Sequence, residues 1–106
     1  MLNNCFGGSE KDYEQMAREA GIPTYMAGAL YRYVEHGIRG GSFLDAVLCD
    51  SLKAATGCAD AENILCLKEW AMVMTWGVPG NCHGSPEIVR EWVKKKAEER
   101  KAKEVK

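Results

Sequence analysis

The residues in this chain best able to do chemistry are five cysteines (Cys5, Cys49, Cys58, Cys66, Cys82) and two histidines (His36, His83). Structural zinc requires four converging ligands, usually supplied by closely spaced pairs, and the chain has no Cys-x-x-Cys. Cys66 lies ten residues before Trp76 on a helical stretch, about 15 Å from the helix end that leads to Cys82 and His83 at 1.5 Å per residue. The expectation is therefore free thiols, no metal and no cofactor. Nucleophilic catalysis fares no better: adjacent side chains in an extended loop point apart, so Cys82 and His83 form no dyad with each other, and Ser85 reads as a helix cap. A nucleophile elbow, a zincin motif and a phosphate loop are all missing from the sequence, which predicts no catalytic residues and no enzyme. His36, beside Gly37, reads as a cation at a helix C-terminus.

Two segments have binding rather than catalytic character. Gly37-Ile-Arg39-Gly-Gly-Ser42 combines glycines, an arginine and a following helix N-terminus, which suits an anion, although a glycine-rich helix connection gives the same pattern. Ala17-Arg-Glu-Ala-Gly21-Ile22-Pro-Thr-Tyr-Met-Ala27-Gly-Ala-Leu30-Tyr-Arg-Tyr33 has the small residue, turn glycine and apolar spacing of a helix-turn-helix. It resembles the reading head of bacterial repressors, which would present Thr24, Tyr25, Gly28 and Arg32 to DNA. The charge is wrong for phosphate, however, since Glu14, Glu19 and Glu35 accompany Arg18 and Arg32. An αα-corner used only for packing has the same signature.

The elements that position these residues read as helices, with no two-residue alternation anywhere, so the predicted class is all-α. Five helices are expected. The first is capped by a Ser9–Asp12 capping box and stopped by Gly21, and the second runs from about Pro23 to His36 and is closed by Gly37. A third runs from a Ser42–Asp45 capping box to just before Gly57, burying Leu44, Val47, Leu48, Leu52 and Ala55. A fourth follows the N-cap Asp60 and spans about 61–77, apolar over most of its circumference and therefore central to a compact bundle. The last begins at Ser85-Pro86-Glu87 and buries Ile88, Val89, Trp92 and Val93.

At 106 residues the chain can hold one core, and 46% hydrophobic residues make it an ordinary globular composition. The reading is a single helical domain over 1–93 followed by a basic helical extension, solvated or frayed, over 94–106. That extension holds seven Lys/Arg against three Glu, a net +4; with −1 overall, residues 1–93 carry −5. The first residues have neither positive charge nor an apolar run, which predicts no signal peptide, and no stretch approaches the roughly 20 apolar residues of a membrane span.

From Tyr31 to Trp92 the sequence resembles a family of small uncharacterised proteins encoded by phages and prophages. The matching residues are Tyr33-Val-Glu-His-Gly37-Ile38, Gly41-Ser-Phe-Leu44, Ala46-Val-Leu48, Asp50, Leu52, Ala54, Ala59-Asp60, Asn63, Leu67, Pro79, Cys82, Gly84-Ser85 and Trp92. The chain departs from the family where Gly40 replaces a proline and Cys49-Asp50 an Asn-Asp. The resemblance implies the helical fold and a phage origin, hence the cytoplasm of a bacterial host cell, and brings no active site. With no catalytic constellation, the expected activity is binding a host or defence protein, in its most concrete form as an anti-CRISPR-like inhibitor. Tyr25, Tyr31, Arg32 and Arg39 are the expected partner-binding residues, with Met72, Trp76 and Trp92 as further aromatic or thioether anchors, the two tryptophans more in keeping with the core. The alternative is a small helix-turn-helix DNA-binding regulator, and a third reading is self-association of the acidic body with a neighbour's basic tail.

Overall fold

The computed structural model describes residues 8–104, all of them in helices, turns and loops, with no strand. The helices are α1 (Glu10–Ala20), α2 (Ala27–His36), α3 (Ser42–Leu48), α4 (Leu52–Cys58), α5 (Leu67–Trp76) and α6 (Pro86–Glu104). Short 3₁₀ turns at Thr24–Met26, Asn63–Cys66 and Gly80–Cys82 lead into α2, α5 and α6. The class is all-α, as expected, but with six α-helices among the described residues.

Local chemistry explains most boundaries. The Asp12 N–H donates to Ser9 Oγ and the Ser9 N–H to Asp12 Oδ2 at 2.9 Å, closing the capping box. Gly21 (φ 86°) and Gly37 (φ 69°) end α1 and α2 in the left-handed conformation, where a Cβ is costly. Ser85 Oγ accepts from the Ile88 N–H at 3.2 Å and starts α6. Ser42 does not cap: Gly41 occupies that position and Asp45 instead pairs with Arg39 at 3.6 Å.

The extra helix arises at Asp50. The predicted segment from Ser42 to Gly57 breaks there because Asp50 takes φ 61°, the one positive φ among the described non-glycine residues. Aspartate tolerates this region better than most residues, and the turn satisfies its own backbone: the Asp50 N–H donates to the Val47 carbonyl and the Ser51 N–H to the Ala46 carbonyl. The chain doubles back, so α4 packs on α3 as a helical hairpin.

The core joins all parts of the described chain: Tyr13 and Met16 of α1, Leu30 and Tyr33 of α2, Leu44 and Leu48 of α3, Trp70 and Val73 of α5, and Val89 of α6. Helix α2 is clasped between α1 and α6, and α5 rests on α1 and α3. Contrary to its all-round apolar pattern, α5 is buried along one face only. Two buried hydrogen bonds tie remote segments to α2: the Tyr33 hydroxyl donates to the Cys82 carbonyl at 2.5 Å, and Trp92 Nε1 donates to the Tyr33 carbonyl at 3.1 Å.

The basic extension is helical through Glu104. Beyond Val93 its apolar residues run out, yet the aliphatic stem of Lys96 lies across Gly37 and the Arg100 guanidinium donates to the His36 carbonyl. A cation on the last carbonyls of α2 is the favoured arrangement at a helix C-terminus. Lys95 and Lys96 place their ammonium groups 5.2 and 4.9 Å from the Trp92 ring. Of residues 94–106, 105 and 106 lie outside the described residues. No helix among the described residues is long and apolar enough to cross a membrane.

Candidate functional site

The four expected partner-binding residues occupy separate neighbourhoods. Tyr25 is half-exposed and its hydroxyl donates to Asp60 Oδ2 at 2.6 Å, an interaction that pushes its pKa up to about 12. Tyr31 turns toward α1, edge-on to Tyr13 at 5.7 Å and to His36 at 5.3 Å, and its hydroxyl lies 3.2 Å from His36 Nε2. Arg32 is exposed on α2, with one of its nitrogens and the Glu10 carboxylate both close to Gly28. Arg39 pairs with Asp45. Of the further anchors, Trp92 is core, as its apolar spacing suggested, whereas Met72 and Trp76 stand in solvent.

Asp60 organises the neighbourhood of Tyr25. Its Oδ1 accepts from the Asn63 N–H at 2.8 Å and from Asn63 Nδ2 at 3.0 Å, while Asn63 Oδ1 accepts from Trp70 Nε1 at 2.8 Å. The hydrogen bonds from Tyr25 and from the Asn63 backbone hold the Asp60 carboxyl below the usual carboxylate range. A chain of hydrogen bonds thus links the surface to the buried indole, and Asn63 is the single buried polar residue among those described.

The thiols are dispersed. Cys49, Cys58, Cys66 and Cys82 are all free, Cys5 lies outside the described residues, and no group of three or more His, Cys, Asp or Glu among the described residues is placed to hold a metal. Burial pushes the Cys82 thiol up to about 12, far from the thiolate range a nucleophile needs at neutral pH. His83 follows in extended backbone (φ −151°, ψ 170°), so the two side chains diverge as the sequence predicts.

Two surface features stand out on the α4–α5 side. Met72 and Trp76, four residues apart on one face of α5, are 47% and 52% exposed, and Leu65, in the 3₁₀ turn before α5, is 86% exposed. The second feature is a cleft of about 360 Å³ between α4 and α5, with Val47, Leu52, Ala55, Leu67, Trp70, Ala71 and Met74 among its lining and Asp50, Ser51, Thr75 and His83 contributing polar groups. Leu52, 73% exposed, stands at its edge. Sequence reasoning names Met72 and Trp76 but misses Leu65 and the cleft, because the apolar spacing that marks a buried face also marks an uncovered one. The break at Asp50, which swings Leu52 away from the core, carries no periodic signal.

Burial lowers the His83 pKa from its ordinary 6.5, outweighing the opposing hydrogen bond with the Met74 backbone and the nearby Asp50 charge. The folded protein therefore binds fewer protons at this ring than the unfolded chain, and stability rises with pH wherever that difference exists. The contribution is fully present above pH 6.5 and is lost as pH falls toward the depressed folded value. Thermal melts between about pH 7.5 and 5 should show a falling Tm that His83→Gln flattens; an unchanged slope in the variant would assign the acid sensitivity elsewhere.

Compared with known proteins, the chain matches no family model, no curated protein and no solved structure.

Proposed function

We propose that this protein acts by binding another protein, and that the exposed residues Leu65, Met72 and Trp76 form the centre of the contact. Three large apolar side chains exposed along one short stretch of chain are an uncommon thing to leave in water, and Trp and Met are enriched where interfaces carry their energy. The resemblance to phage-encoded proteins makes a host or defence protein the expected partner, with inhibition of the anti-CRISPR kind as the concrete form. The observation that carries the reading is the exposure of all three residues along α5 and the turn leading into it, while the opposite face of that helix, Trp70 and Val73, is fully buried. Such a helix is held rigidly by the core and presents its outer face preorganised, so little side-chain or backbone order is lost on docking.

The alternative of a DNA-reading helix pair has the right exposures at Thr24, Tyr25 and Arg32. Its charges oppose it: Glu10 stands beside Gly28 and Arg32, and Asp60 and Glu62 beside Tyr25, where phosphates would approach.

The test is affinity capture from a bacterial host lysate at physiological salt with the wild-type chain, Met72→Glu and Trp76→Ala. A stoichiometric partner held by the wild type and weakened at least about tenfold by either variant is expected, the roughly 1.4 kcal/mol or more typical of an anchor residue. Retention of the same partner by both variants, or no partner at all, would overturn the proposal.

A further inference from the structure

The cleft beside α5 has a chemistry of its own. Its volume, about 360 Å³, falls within the range of small-molecule sites, and its walls are mostly apolar. The polar groups that line it are sparse, and the one formal charge among them, on Asp50, is negative. The Thr75 hydroxyl gives its proton to the Ala71 carbonyl at 2.9 Å, leaving only lone pairs to offer. The backbone N–H groups of Asp50, Ser51 and Gly84 donate to Val47, Ala46 and Leu48. His83 Nε2 is buried with no hydrogen-bond partner among the described residues, and donates or accepts according to the tautomer of the ring. The Asp50 carboxylate makes no ion pair or hydrogen bond among the described residues, and neither Lys nor Arg lines the cleft. An anion would meet the Asp50 carboxylate and no Lys or Arg, whereas a cation would find that carboxylate and two hydroxyl oxygens, from Ser51 and Thr75.

Asp50 is also the residue held at φ 61°. Non-glycine residues in this region persist where the surrounding structure over-determines them, and they cluster at ligand sites. His83, kept toward its neutral form by burial, leaves Asp50 as the one charged side chain in the cleft lining near neutral pH.

We propose that the cleft between α4 and α5 binds a small amphiphilic amine, its ammonium group at Asp50 and its apolar body against Trp70, Leu67 and Met74. The site does not depend on the exposed Met72, which lies on another face of α5. An aryl-alkyl amine meets both features: the ring packs in the apolar part, and the ammonium pairs with the Asp50 carboxylate.

Methyl NMR titrations of the full chain with phenethylamine, phenethyl alcohol and phenylacetate test this directly. Phenethylamine should shift the Leu52, Ala55, Ala71 and Met74 methyls with a Kd at least about fivefold below that of the alcohol, and phenylacetate should bind most weakly. Asp50→Asn should bring the amine to the level of the alcohol, and Asp50→Gly, which suits the same backbone region, should give the same loss. Ala71→Phe, placing a ring in the cleft, should abolish the shifts for all three probes. Equal binding of amine and alcohol, tighter binding of phenylacetate, no cleft shifts at millimolar amine, or an unchanged amine Kd in both Asp50 variants would each overturn the assignment.

Discussion

Gly37→Ala should destabilise the fold by about 2–4 kcal/mol, measured by chemical denaturation. Two costs combine. Gly37 sits at φ 69°, where an L side chain costs roughly 1 kcal/mol or more. It is also buried, and a Cβ there would overlap the Lys96 Cβ and lie 3.4 Å from the Val93 Cα. The Lys96 stem can shift but the α6 backbone can yield only by lifting off α2, and overpacking of this kind costs about 1–3 kcal/mol. The loss should be localised: amides of residues 94–104 should exchange faster in the variant, because the same contact holds the basic extension and brings Arg100 to the His36 carbonyl. Gly57→Ala is the matched control. Gly57 lies inside α4 with nothing within 4 Å of the point where a Cβ would stand, so alanine should be neutral or stabilising by up to about 1 kcal/mol. A loss below about 0.5 kcal/mol at Gly37 would mean that α6 does not depend on close approach there.

The second large effect is expected at Asn63. Asn63→Ala removes the acceptor for Trp70 Nε1 and a donor to Asp60, leaving a buried indole N–H without a partner. An orphaned buried polar group costs about 1–3 kcal/mol, and the truncated amide adds a small cavity, so a loss of about 2–3 kcal/mol follows. Trp70→Phe removes the orphan. In the double variant the two losses should therefore fall short of additive by about 1–2 kcal/mol. Asn63→Asp should not rescue, since it sets a second carboxylate against Asp60 and deletes the Nδ2 donor. Strict additivity of Asn63→Ala and Trp70→Phe would show that the hydrogen bond contributes little and that Asn63 acts through packing alone.

These two positions also separate what is legible in the sequence from what is not. Gly37 as a helix stop and Ser85 as the start of α6 follow from interactions within four residues, whereas Asp60 caps only a turn, and the helix expected over about 61–77 begins as a 3₁₀ segment and becomes α only at Leu67. Ser42 does not cap, because Gly41 takes the N-cap position, its carbonyl accepting from the Asp45 N–H, and Ser42 is already the first residue of α3. Trp76, expected in the core by its hydrophobicity, is exposed, while Trp92 is buried beside Tyr33. The partner-binding set Tyr25, Tyr31, Arg32 and Arg39 rests on residue type alone, and three of its members are tied to Asp60, His36 and Asp45 in different parts of the molecule.

The amino-acid sequence alone determined that the chain is helical, where α1 and α6 begin and where α1, α2 and α5 end, and which residues are apolar enough for a core. Those properties depend on backbone dihedral preferences and on hydrogen bonds that span at most one turn. Only the tertiary structure decided that Asp50 divides one helix into two, that Lys96 and Arg100 fasten the basic extension to α2, and that Leu65, Met72 and Trp76 remain uncovered. Exposure is a property of what packs opposite a side chain, and that neighbour comes from a distant part of the chain.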